Sequence, residues 1–215
     1  MLTSGYEELS PRAVLIRKHE LAIKLQEVRP PSAPKVALEQ YMIPADLAAE
    51  ILFQACYVHD DIENKCVADF GTGTGRLALG ASLLGAQYVV GIDLDRLSLD
   101  VASRNAMMLD LHVDWVLGNV DSLRGMVDTV LMNPPFGTKQ PHADIQFLQA
   151  ALKLGSIVYS IHKSSTRRFL TRWLEANAAE TEKLMTAKMG IAHQFSFHRK
   201  RLAHVDVDIF RIRRS

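Results

Sequence analysis

From Cys66 onward, short apolar runs rich in valine and isoleucine alternate with longer stretches whose apolar residues recur at helical spacing. The runs at 66–70, 87–93, 113–118, 127–132, 156–161, 180–189 and 204–213 read as strands. Helical spacing fills 74–84, 95–109, 143–153 and 165–178 between them. This alternation predicts βαβ units, because a parallel neighbour is reached only through a long crossover. The last run, HVDVDIFRIR, alternates polar with apolar residues, as suits a late antiparallel strand near a sheet edge. The pattern thus predicts an α/β fold: a seven-stranded, mostly parallel sheet with an antiparallel last strand and helices on both faces.

Ahead of that region, residues 7–28 place Leu9, Ala13, Ile16, Ile23 and Leu25 among many charges and predict a solvated helical element. RPPSAPK at 29–35 stops it, since each proline removes a donor and disfavours helix at the preceding residue. Pro44 then opens a helix through Ala45, Leu47, Ala48, Ile51 and Leu52. With no repeat, low-complexity tract or long linker, 1–215 reads as a single domain, with 1–35 as an N-terminal helical extension. Composition narrows the partners. A net charge of +1 on 215 residues gives no global field for a polyanion, so nucleic-acid contact must be local. Cys56 and Cys66 are too few for a disulfide framework or a four-ligand zinc site and suit the cytoplasm. No run approaches the roughly 18 apolar residues of a spanning helix, which predicts no membrane insertion.

Chemistry concentrates in two loops. VADFGTGTGRLALG sets Gly71, Gly73 and Gly75 directly after a strand and before a helix, where the backbone turns sharply and free amides can meet a nucleotide-like ligand. Asp93 ends the next strand, about 20 residues on, where a carboxylate can accept from both ribose hydroxyls. Gly73 to Ala78 also satisfies G-x-G-x-x-A, so a nicotinamide dinucleotide remains a rival ligand, and Arg76 could suit its phosphates. The second loop, Asn133-Pro134-Pro135-Phe136, follows the fourth predicted strand. An aromatic amino nitrogen is a poor nucleophile because its lone pair is delocalised into the ring. The Asn133 side-chain oxygen and the Pro134 carbonyl can grip its N–H groups, with the prolines holding both acceptors in place. Phe136 can stack on an extruded base, although alone it would read as a buried residue in a rigid turn.

These motifs resemble the N6-adenine-type methyltransferases of the Rossmann-like class I fold, and within them the methyltransferase-like protein 5 group with its archaeal relatives. The resemblance spans nearly the whole chain and includes LEQY at 38–41, DDIENK at 60–65, MNPPFGTK at 132–139, YSIHKSSTR at 159–167 and VDVD at 205–208. It implies S-adenosyl-L-methionine as cofactor, an adenosine of small-subunit ribosomal RNA as target, and a small zinc-containing activator subunit as partner. By position, Gln40 and Tyr41 would close over the cofactor, Asp69 would face its methionine portion, and Gly71, Gly73, Thr74 and Gly75 would line it. Asp93 with Leu94 would hold the ribose, and Asn119 with Val120 would flank the adenine. Relatives commonly carry aspartate at position 119; the neutral Asn119 should bind less firmly, with Asp121 as an alternative acceptor.

RNA contacts are assigned to His162, Lys163 and Arg167, and to Arg199, Lys200 and Arg201 in the basic segment FHRKRLAH at 197–204. Ser164 or Ser165 is expected to cap the helix that follows. His193, His198 and His204 lack metal-ligand spacing and read as surface residues, so no metal is assigned. The third strand, VDWVLG, is expected at a sheet edge where the activator could add, with Trp115 and Met107 or Met108 as apolar contacts. The remaining alternatives are an N6-adenine DNA methyltransferase, a protein-glutamine methyltransferase, or a non-catalytic RNA-binding or ribosome-assembly module.

Overall fold

Residues 15–31, 35, 39, 41–137, 143–177, 179–191 and 203–214 are described by a computed structural model. The seven strands are β1 (Cys66–Phe70), β2 (Tyr88–Asp93), β3 (Asp114–Leu117), β4 (Val127–Met132), β5 (Gly155–Lys163), β6 (Ala179–Ile191) and β7 (Ala203–Arg214). They form one sheet in the order β3-β2-β1-β4-β5-β7-β6. β7 is antiparallel to both neighbours, while the pairs from β3 to β5 are parallel. The expected edge position of the third strand and the antiparallel last strand are both found, with β7 one place in from the edge.

Among the described residues six α-helices accompany the sheet: α1 (Lys18–Gln26), α2 (Ala45–Phe53), α3 (Arg76–Leu83), α4 (Arg96–Met108), α5 (Ala143–Leu154) and α6 (Arg167–Ala176). Successive strand residues point to opposite faces and so feed two cores. Val67, Val89 and Leu131 join Leu25, Leu52 and Leu79 on one face. Phe70, Ile92 and Met132 join Leu148, Leu170 and Leu174 on the other.

The N-terminal reading needs correction. Leu21 and Leu25 of α1, with Val28 just beyond its end, form a buried stripe, and α1 packs on α2, whereas Ile23 is 47% exposed. The element is therefore docked instead of solvated, because the i, i+4, i+7 set and not the full apolar count defines the packed face. Leu9 and Ala13 lie outside the described residues.

The strand order reverses between β1 and β4, and there the fold positions its site. β1 runs parallel to both β2 and β4, with Phe70 opposite Ile92 and Met132. The loops that begin at Gly71 and Asn133 therefore leave side by side from one edge of the sheet. The carboxyl edge at such a switch point is where open α/β sheets hold ligands.

Candidate functional site

A cavity of about 310 Å³ opens at this edge, within the range of small-ligand sites. Its floor is the glycine loop. Gly73 has φ +56° and an amide that donates to Asp93 Oδ2 at 2.8 Å, and nothing lies within 4 Å of where a Cβ would stand. A side chain there would enter the cavity. Gly75, also expected in the lining, is not part of it. At φ +90° it begins α3, and a Cβ would fall 2.7 Å from the Trp115 ring, so this glycine serves packing. Trp115 is partly buried and packs against the core.

Three carboxylates line the cavity, Glu39, Asp69 and Asp93, and the last two flank the glycine loop. Asp69, only 1% exposed, accepts from the Thr72 hydroxyl at 2.7 Å and the Ala78 amide at 3.0 Å. Burial nevertheless pushes its pKa up to about 7. Burial also raises Asp93, opposed by backbone N–H groups of Asp95 and Gly73. Leu94, Asn119 and Val120 complete that wall. Asn119 caps a short turn by accepting from the Asp121 amide at 3.3 Å. Asp121 itself is exposed and outside the lining.

Across the cavity, Asn133 and Pro135 supply the opposing wall, while Pro134 is buried behind them. Asn133 Nδ2 donates to the Tyr41 carbonyl at 3.0 Å, which fixes the amide plane. Its Oδ1 is buried with no hydrogen-bond partner. A buried acceptor left bare is costly in a folded chain unless a ligand supplies the donor. Phe136 lies against Tyr41 with ring centroids 6.3 Å apart at 20°, and Lys163 Nζ stands 5.5 Å from the Phe136 centroid.

The N-terminal segment closes the remaining side. Arg76 donates to the carbonyls of Ile43 and Val28, Asn105 exchanges hydrogen bonds with the Arg29 backbone, and Lys35 pairs with Asp95 at 2.7 Å. Pro31, Glu39, Tyr41, Met42 and Ile43 thereby reach the cavity wall. Sequence reading missed Glu39, Met42, Ile43 and Phe147. Their only signal is apolar or acidic character, which nothing local distinguishes from ordinary core or surface residues.

The basic candidates separate. His162 is 1% exposed, with Nε2 2.7 Å from Ser160 Oγ and Nδ1 3.6 Å from the Asp144 carboxylate, so it presents no surface to a phosphate. Arg167 is half exposed, but its fork is committed to Asp208 at 2.6 and 2.7 Å. Ser164 also donates to Asp208 instead of capping α6, whose cap position is Thr166, a hydroxyl that donates back to the Lys163 carbonyl and makes no capping bond. Lys163 alone of these three reaches the aromatic wall. Arg168 and Arg172, four residues apart on α6, are exposed, an arrangement the sequence reading did not single out. Gln40, His193, His198, Arg199, Lys200 and Arg201 lie outside the described residues.

Similarity to known proteins follows this geometry. The family profile "Ribosomal protein L11 methyltransferase (PrmA)" matches residues 54–133, from the end of α2 to the site asparagine. The rRNA N(6)-adenosine-methyltransferase Mettl5 of Drosophila melanogaster is 37% identical, covering 91% of this chain and 96% of its own. An uncharacterized protein of Methanocaldococcus jannaschii is also 37% identical, over 92% and 94%. The crystal structure of a candidate RNA methyltransferase from Pyrococcus horikoshii superposes with a TM-score of 0.85 at 41% identity, covering 94% of this chain and 99% of that one. Likeness sustained from the docked N-terminal helix to the last strand, around a bare asparagine oxygen beside a nucleotide loop, has one consequence: the chain belongs to the rRNA N6-adenosine-methyltransferase METTL5 family.

Proposed function

We propose that this protein methylates N6 of an adenosine in ribosomal RNA of the small subunit, using S-adenosyl-L-methionine. The observation that carries the reading is the unpaired, buried Asn133 Oδ1, at the same sheet edge as the glycine loop, in an amide whose Nδ2 donates to the Tyr41 carbonyl. When bound, the cofactor supplies an electrophilic methyl on a sulfonium. The residues present suit it: Gly73 leaves room above the loop, Asp93 can accept from a ribose, and Asn119 and Val120 can flank an adenine. Asp69 is placed to accept from the ammonium of its amino-acid portion.

Asn133 Oδ1 and the Pro134 carbonyl accept from the two N–H groups of the target amine. This draws the nitrogen towards tetrahedral geometry and aims its lone pair across the cavity. Phe136 stacks on the extruded base, and Lys163 above that ring holds positive charge where a phosphate would approach. No base is required before transfer, because the methylated amine loses its proton readily. Arg168 and Arg172 extend the basic surface along α6. The match to a protein methyltransferase profile ends at Asn133, so it covers the cofactor side and not the surface that meets the target.

A small zinc-containing activator subunit fits the free edge of β3, where Leu117, Met107 and Met108 are exposed. Free cysteines Cys56 and Cys66 suit the cytoplasm as the compartment. Among the described residues no helix is long and apolar enough to cross a membrane.

The test is nucleoside mass spectrometry of ribosomal RNA incubated with the protein and methyl-deuterated cofactor. Labelled N6-methyladenosine in the small-subunit RNA is expected. Label found only in protein or DNA would sink the reading. Running the reaction with and without a co-purified zinc protein decides whether an activator is needed.

A further inference from the structure

We propose that the Arg76 guanidinium binds the carboxylate of the cofactor's amino-acid portion, so that the cavity selects a zwitterionic ligand over its decarboxylated counterpart. This rests on the cofactor reading and adds a specificity determinant to it.

Arg76 opens α3 directly after the glycine loop and lines the cavity, yet it is only 8% exposed. Nη1 donates to the Ile43 carbonyl at 2.5 Å and Nη2 to the Val28 carbonyl at 3.0 Å. Nε is buried without an acceptor. Both acceptors are neutral, and among the described residues no carboxylate lies within ion-pair distance of this side chain. The acid that favours its charged form is the exposed Asp46, which makes no ion pair with it. Burial accordingly pulls the guanidinium down to about 10. A buried charge with neutral partners alone is a poor structural choice, since an apolar side chain of similar volume would avoid the desolvation penalty.

The opposite imbalance stands nearby. Asp69, on the strand that leads into the same loop, is buried with two neutral donors and no cation. The two residues form no ion pair with each other. Beside Glu39 and Asp93, one cavity therefore holds a cation and an acid that form no ion pair among the described residues. A ligand end carrying both an ammonium and a carboxylate answers both: the ammonium goes to Asp69, and the carboxylate goes to the Arg76 Nε edge.

Arg76 also tethers the N-terminal segment, and the experiment must separate the two roles. Calorimetric affinities are measured for S-adenosylhomocysteine and for decarboxylated S-adenosylhomocysteine, which keeps the ammonium and loses only the carboxylate. Wild-type protein is expected to prefer the carboxylate form by about 30-fold or more. In Arg76→Met, the homocysteine form should weaken by about that factor while the decarboxylated form changes little. Arg76→Lys, which keeps the charge without the fork, should retain part of the preference. Equal weakening of both ligands in Arg76→Met would mean a tether alone and overturn the proposal. Equal affinity for both ligands in the wild type would overturn it without any variant. Wild-type protein that binds neither ligand would instead overturn the cofactor reading itself.

Discussion

Asp69 on β1 and Asp208 on β7 are both essentially buried, yet the chain treats them differently. Asp208 lies in a corner built by β5, α6 and β7. Burial would raise its pKa, but the Arg167 fork and the hydroxyls of Thr186 and Ser164 hold it down to about 2. Asp69 lies in the cofactor cradle with only a hydroxyl and an amide, and stays near 7. The corner satisfies its charge internally and so fixes a turn. The cradle leaves part of the balance to a ligand. The same contrast holds for neutral groups, since Asn133 has one amide end bonded within the chain and the other bare. Incomplete pairing in an otherwise well-paired interior marks the functional end of this molecule.

The sharpest break in the comparison is at the bare acceptor. Asn133→Ala should lower methylation about 1,000-fold, while calorimetric cofactor affinity stays within about threefold. Loss of both would mean that Asn133 supports the fold instead of the target.

Asp208→Asn tests the self-satisfied corner. Removing the charge that four hydrogen bonds serve should cost about 2 kcal/mol, a fall of about 6 °C in Tm, because the half-exposed Arg167 can turn to water. Asp208 is depressed in the folded state, so its stabilisation is present above about pH 4 and is lost as pH falls through about 2. Asp69 has the reverse sign. The folded chain keeps a proton that the unfolded chain releases, so stability declines as pH rises from about 4 through about 7. Asp69→Asn should therefore leave Tm near neutral pH almost unchanged, and a drop as large as that of Asp208→Asn would erase the contrast.

The cradle also predicts a pH-dependent ligand. An ammonium next to Asp69 favours its ionised form, so cofactor affinity should rise by up to about tenfold between about pH 6 and pH 8, with proton release. Titrations in buffers of different ionisation enthalpy read that release directly, and Asp69→Asn should abolish it. Phe136→Ala should have the smallest effect, raising KM for RNA about tenfold, since a single stacking contact is worth about 1–3 kcal/mol. An unchanged KM would take Phe136 out of the target pocket.

The elements were legible because their causes are local. Period-two and helical spacing placed all seven strands within a few residues, and a glycine loop and an asparagine-proline turn each following a strand pointed to one sheet edge. Local cues failed where a side chain chose a distant partner. Ser164 has the composition of a cap, but Asp208, 44 residues away, takes its hydroxyl. His162 has the composition of a surface base but points into a buried contact with Ser160 and Asp144. Gly75 has the look of a ligand loop and answers to the ring of Trp115.

The sequence by itself determined the alternation of elements, the order in which they occur and the residue types in each loop, since backbone sterics and apolar periodicity act over a few positions. Only the tertiary structure decided that Phe70 stands opposite Met132, so that the two loops share a cavity. It also decided that the Tyr41 carbonyl, 92 residues from Asn133, orients the amide, and that Arg76 and Asp69 are buried with no ion-pair partner among the described residues. Burial and pairing of this kind depend on which surfaces meet after the chain packs, and that information is spread over the whole sequence instead of residing in any motif.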